Sequence, residues 1–142
     1  MLIGRQVFET CCFAWRAGIT ATSATGYIVQ FDEHLHDTQL ESNAVGIGPT
    51  AVLRLQTPEL ARWVLSFEGS GAFILYSRHF PAGGDVYNFM WRAGPSLSYR
   101  FDDTWSAGAG ARVMHVSNGQ GLTPKNPSYA ALGVTLWLAW RL

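Results

Sequence analysis

Two residues of this chain, His115 and Ser117, have the types and the spacing of a base and a nucleophile. On an extended strand, residues i and i+2 share a face with Cα atoms about 6.8 Å apart, so an imidazole nitrogen can reach a serine hydroxyl. A histidine that takes the serine proton turns a weak alcohol into an attacking one, the first step of acyl transfer. Asn118 and Gly119 follow at a bend, where backbone N–H groups or the Asn118 amide can hold the oxyanion formed by the attack. Spacing alone fits a structural pair better; the catalytic reading, with His115 as general base, Ser117 as nucleophile and Asn118 with Gly119 as oxyanion hole, gains its weight from where the pair lies. A second constellation, His34-Leu35-His36 within the polar stretch 32–37, lacks a third fixed ligand. It reads as a solvated loop, and neither a metal nor another cofactor is expected.

The segment that must position the pair alternates with period two. Trp105, Ala107, Ala109, Ala111 and Val113 form an apolar row that ends in His115 and Ser117, against Ser106, Gly108, Gly110, Arg112 and Met114. Most of the chain repeats the pattern. Val45, Ile47, Pro49, Ala51, Leu53 and Leu55 oppose Gly46, Gly48, Thr50 and Arg54. Trp63, Leu65, Phe67, Phe73 and Leu75 oppose Ser66, Glu68 and Ser70. The cleanest alternation sets Tyr87, Phe89, Trp91, Ala93, Leu97, Tyr99 and Phe101 against Asn88, Met90, Arg92, Gly94, Ser96, Ser98 and Arg100. A last strand sets the even positions 130–142 against Ala131, Gly133, Thr135, Trp137, Ala139 and Arg141. The N-terminal part is less regular: a strand is expected over 7–19, with Glu9 on its apolar side, then a short connection 20–24 and a strand at Tyr27, Val29 and Phe31.

Which solvent meets the apolar rows follows from what lies opposite them. The polar faces collect Arg54, Arg92, Arg112, Arg141 and Glu68, residues suited to a filled, water-containing lumen and not to a hydrophobic ligand cavity. Charged residues are only 14% of the chain, and Lys125 is its single lysine, too few for an ordinary soluble surface. Six tryptophans suit aromatic girdles at a bilayer boundary, and Trp63, Trp91, Trp105 and Trp140 are expected as interfacial anchors. No apolar run approaches the roughly 18 residues of a spanning helix, so insertion must be by closed strands. A net charge of zero gives no sign of a nucleic-acid partner. The adjacent Cys11 and Cys12 point to opposite faces of a strand, which makes a poor disulfide, and they are expected to act as small apolar fillers.

A single domain over 1–142 is expected: an all-β, antiparallel, up-and-down transmembrane β-barrel with seven strands legible. Connections alternate long and short backward from the C-terminus, at 118–128, 102–104, 77–85, 56–61, 32–42 and 20–24. With short turns periplasmic, the His115/Ser117 end of its strand faces the outer leaflet of the outer membrane. Barrels of this kind have an even strand count, so one strand is expected before Met1 or within the ragged N-terminal segment. The opening Met1-Leu2-Ile3-Gly4-Arg5 lacks the marks of a secretory signal, as in a mature or trimmed form or one whose start is set too late.

From about Asn43 onward the sequence resembles the lipid A 3-O-deacylase (PagL) family of outer-membrane acyloxyacyl hydrolases. The likeness rests on 81–89 (Pro-Ala-Gly-Gly-Asp-Val-Tyr-Asn-Phe), on 112–119 (Arg-Val-Met-His-Val-Ser-Asn-Gly), and on 126–129 (Asn-Pro-Ser-Tyr). Residues 1–40 match poorly. The resemblance implies an eight-stranded barrel with a metal-free Ser–His–Glu triad on its lipid-facing surface, which hydrolyses the ester-linked acyl chain at position 3 of lipid A. It assigns Ser117 as nucleophile and His115 as base, and puts the triad acid where this chain has Ala130. Glu68 shares a row with the lumen residues, whereas Glu33, Asp37 and Glu41 lie on the long connection. The implied partners are lipid A or lipopolysaccharide and outer-membrane lipids; monomer and homodimer both remain open. The function expected is that of an outer-membrane serine esterase. The alternatives are a catalytically impaired or purely lipid A-binding barrel, which Ala130 favours, and a soluble lipid-binding barrel.

Overall fold

Alternation in the sequence becomes alternation of side. In a computed structural model, which describes residues 1–31, 37–119 and 128–140, the described residues form nine β-strands and no helix. These are β1 (Leu2–Glu9), β2 (Phe13–Ala24), β3 (Tyr27–Phe31), β4 (Asp37–Glu41), β5 (Ala44–Gln56), β6 (Trp63–Tyr76), β7 (Tyr87–Arg100), β8 (Trp105–Ser117) and β9 (Ser128–Trp140). Seven make one sheet in the order β1-β2-β5-β6-β7-β8-β9, each antiparallel to its neighbour. With seven alternating directions, β1 and β9 run the same way, and these two edges of the sheet are not joined.

The large sheet has seven strands, the number legible in the sequence, but its N-terminal members are not the expected ones. The expected strand over 7–19 is two strands, because a turn follows Glu9: the Thr10 amide donates to the Phe13 carbonyl at 2.7 Å, and the Thr10 hydroxyl accepts from the Phe13 amide at 3.1 Å. The turn and a register shift between Gln6 and Phe8 reset the period, so Glu9 pairs with the inward Ala14 and does not join the apolar row. The expected connection 20–24 continues β2, since Thr20 faces the interior and its hydroxyl accepts from Thr50 at 2.7 Å. Tyr27–Phe31 pairs with β4 in a separate hairpin outside the sheet. Cys11 and Cys12 are exposed in the β1–β2 turn with Sγ atoms 3.0 Å apart, so they fill no core. His34, His36 and Glu33 lie outside the described residues. Long and short connections still alternate: 10–12, 25–43, 57–62, 77–86, 101–104 and 118–127.

The apolar rows point out and the charged rows point in. Leu53 is 52% exposed while its neighbour Arg54 is 5% exposed, and Trp91 is exposed while Met90 is buried. Contiguous apolar surface on this scale does not suit a water-soluble lipid binder; it suits strands bathed in hydrocarbon. Aromatic pairs lie toward both ends: Trp63 against Tyr99 at 4.8 Å and Trp105 on Trp140 at 5.9 Å at the short-turn end, and Phe73 against Phe89 at 5.4 Å toward the long-loop end.

Inside, one carboxylate holds the charge together. Glu68 accepts from the Arg54 Nε at 2.5 Å and pairs with the Arg112 guanidinium, with Arg16 3.9 Å away. The Arg112 Nη1 also donates to the carbonyls of Gly94, Pro95 and Ala111, where Pro95 has no N–H to continue the ladder toward β8. Trp137 enters the lumen beneath Arg54, 5.1 Å from guanidinium carbon to ring centroid. Its room comes from Gly108, its register partner: a Cβ there would sit 2.4 Å from the indole. Removing the shared anion leaves the arginines uncompensated, so Glu68→Gln is expected to destabilise the fold by about 3 kcal/mol. The check is the denaturant midpoint at which the folded, fast-migrating gel band disappears; an unchanged midpoint would show that the cluster contributes no stability.

Toward the long-loop end the interior turns apolar. Ala44, Ala72, Ile74, Tyr76, Met90 and Val116 pack with Phe80, which comes from the 77–86 connection. Val116, fully buried, fixes the phase of the end of β8 and thereby turns His115 and Ser117 outward.

Candidate functional site

His115 and Ser117 sit on one side of the wall, at the end of the outward row of β8. Both are half-buried, with the inward Val116 between them and Met114 before them. Ser117 lies opposite Ser128 on β9 and Phe89 on β7; His115 lies opposite Ala130 and Trp91. Among the described residues, neither the imidazole nor the hydroxyl has a hydrogen bond to another group, so both are available to a third molecule. The Trp91 indole stacks beside the imidazole, with ring centroids 5.9 Å apart and planes 27° apart. Trp91 thus has a contact beyond the interfacial anchoring expected of it, one that depends on the β7–β8 register and that the period of a single strand does not reveal.

Past Ser117 the chain bends. Asn118 follows the alternation inward, is fully buried, and its Nδ2 donates to the Asp85 carboxylate at 3.1 Å. Its side-chain amide is thus turned toward the 77–86 connection, on the inner side of the wall from Ser117. Gly119 adopts φ of 83°, a left-handed conformation that a side chain disfavours, and so turns the backbone immediately after the pair. Asp85 anchors this bend from the long connection before β7, a role visible in sequence only as part of the 81–89 motif.

Ala130 places a methyl group directly across from His115, so the expected acid position holds no carboxylate. Two of the other acids weighed for that place are engaged elsewhere. Glu68 faces the lumen cluster, and Glu41 accepts from the Asn43 side-chain amide. The side chain of Asp37 and all of Glu33 fall outside what is described.

A shallow depression of about 580 Å³ runs across the sheet from Ala17 to Phe89 and Trp91, the β7 partners of Ser117 and His115, neither of which lines it. Its floor follows a lateral series of register partners, Ala17, Ala51 and Gly71, that continues through Trp91 to His115 and Ala130.

Compared with known families, residues 5–138 match the model of lipid A 3-O-deacylase (PagL). The chain belongs to that family. The PagL match starts at residue 5, well before Asn43, and so takes in most of β1 and all of β2, extending the resemblance beyond the part of the chain where the sequence motifs carry it. An all-β, antiparallel sheet with outward apolar rows agrees with the outer-membrane barrel of the PagL family and with a lipid substrate. No curated protein and no solved structure matches the chain.

Proposed function

We propose that this PagL family member hydrolyses the ester linking the acyl chain at position 3 of lipid A. In this reading Ser117 is the nucleophile, His115 the base, and the long-loop end of the barrel faces the outer leaflet. The observation that carries the reading is the pair itself: an imidazole and a hydroxyl, without partners among the described residues, adjacent on the apolar outer face of β8. Polar groups at a lipid-facing end of a strand cost free energy unless they have work there.

His115 takes the Ser117 proton as Oγ attacks the ester carbonyl, and backbone N–H groups at Asn118 and Gly119 receive the oxyanion. The tetrahedral species collapses with cleavage of the bond to the sugar oxygen, which leaves as an alcohol carrying the proton from His115. Water, deprotonated by His115, then attacks the acyl-serine, releasing the fatty acid and regenerating Ser117. The depression ending at Trp91 gives hydrocarbon a place to lie beside the reacting ester.

The competing reading, a barrel that binds lipid A without turnover, is favoured by one observation, the Ala130 methyl opposite His115. Mass spectrometry of lipid A from a bacterial host producing the intact chain or Ser117→Ala separates the two. Loss of one acyl mass with the unaltered chain alone supports the esterase; identical lipid A from both ends that claim.

A further inference from the structure

The proposed base has an unusual surrounding for a catalytic histidine. On its own strand His115 is flanked by Val113 and Ser117; across on β9 stand Ala130, with Ser128 and Leu132 beside it. On β7 its partner is Trp91. Among these groups no carboxylate is present to fix the tautomer of the ring or to stabilise the imidazolium formed when Ser117 gives up its proton. One group does contact the ring. The Trp91 indole lies at 5.9 Å with planes 27° apart, within the range of offset stacking, and its face attracts a cation at this distance. The β7–β8 register makes Trp91 and His115 direct cross-strand partners, so the contact is built on two hydrogen-bonded strands and not on a loop.

Resting on the esterase reading, we propose that Trp91 is the positioning residue for His115, and that the stacked indole orients the imidazole and stabilises its protonated form in place of a carboxylate. Two properties suit it to that role. Its ring stands on the outward apolar face, which hydrocarbon bathes in this reading, and there an aromatic–cation contact is stronger than in water. It also approaches His115 from the side opposite Ala130, so it leaves Ser117 accessible. Unlike an acid, it accepts no hydrogen bond and cannot select one ring nitrogen, so the dyad it supports is slower than a triad.

The test measures fatty acid release from lipid A micelles by the refolded full chain, with the folded gel band checked for each variant. Trp91→Leu is expected to lower kcat about tenfold with KM changed less than about twofold, while Trp91→Phe, which keeps an aromatic face, stays within about threefold. In an Ala130→Glu background the carboxylate takes over, and Trp91→Leu then costs less than about threefold. Independently of turnover, NMR of histidine-labelled chain should show the carbon-bound ring protons of His115 displaced by the indole ring current, a displacement lost in Trp91→Leu and kept in Ser117→Ala. Full kcat in a folded Trp91→Leu chain, equal losses in both backgrounds, or unshifted His115 protons overturns the proposal. Release that does not depend on Ser117 overturns the parent reading and this one with it, a result distinct from Ser117-dependent release that is indifferent to Trp91.

Discussion

Ser117→Ala is expected to reduce acyl release by about 10²-fold, less than the same change costs a complete triad. In serine hydrolases taken apart residue by residue, losing the nucleophile costs about 2 × 10⁶ in kcat and losing the acid alone about 3 × 10⁴. An acid-less dyad therefore starts only some two orders of magnitude above the level left by binding and the oxyanion hole. With Ala130 opposite His115, this chain is in that position from the outset. Refolded chain with lipid A micelles, followed by quantifying free fatty acid, gives the ratio directly. A ratio near one, with the folded band intact, would remove Ser117 from the chemistry.

Much of what places this pair is legible in the chain itself. The rows ending in His115 and Ser117 are read correctly because β5 to β9 keep period two without interruption, and because the opposing Arg54, Arg92, Arg112 and Glu68 leave only one side for lipid. Period two fails at the N-terminus for physical reasons. A register shift at Gln6/Phe8 and the Thr10 turn each move the phase, and the small polar residues of 20–24 look like a turn although Thr20 is an interior strand residue bonded to Thr50. What one strand's period cannot carry is register between strands. That Trp91 meets His115, that Ala130 faces it from the other side, and that Asp85 holds Asn118 inward are contacts across 24, 15 and 33 residues, set by two hairpins and the 77–86 connection together.

The same cross-strand geometry makes Ala130→Glu the most informative gain-of-function change. Direct partners on antiparallel strands hold their Cβ atoms about 5 Å apart, so a glutamate at 130 has the length to bring a carboxylate oxygen to hydrogen-bonding distance of the His115 ring. Its cost is small. Position 130 is the third residue of β9, close to the end of the strand, where an added carboxylate on the outer face costs about 0–1 kcal/mol, against more at mid-membrane. Restoring an acid is worth up to about 10⁴ in turnover, and an increase of at least about 10² in kcat is expected, with KM nearly unchanged. In that background Ser117→Ala should cost far more than 10², because the dyad has become a unit whose members depend on one another. Ala130→Gln is the control: it has similar size and polarity but no charge for the imidazolium, so it should give at most a few-fold gain. If the glutamate and glutamine chains fold alike and release fatty acid at the same rate, then position 130 is not the gap in the site, and the slow step lies elsewhere than in the basicity of His115.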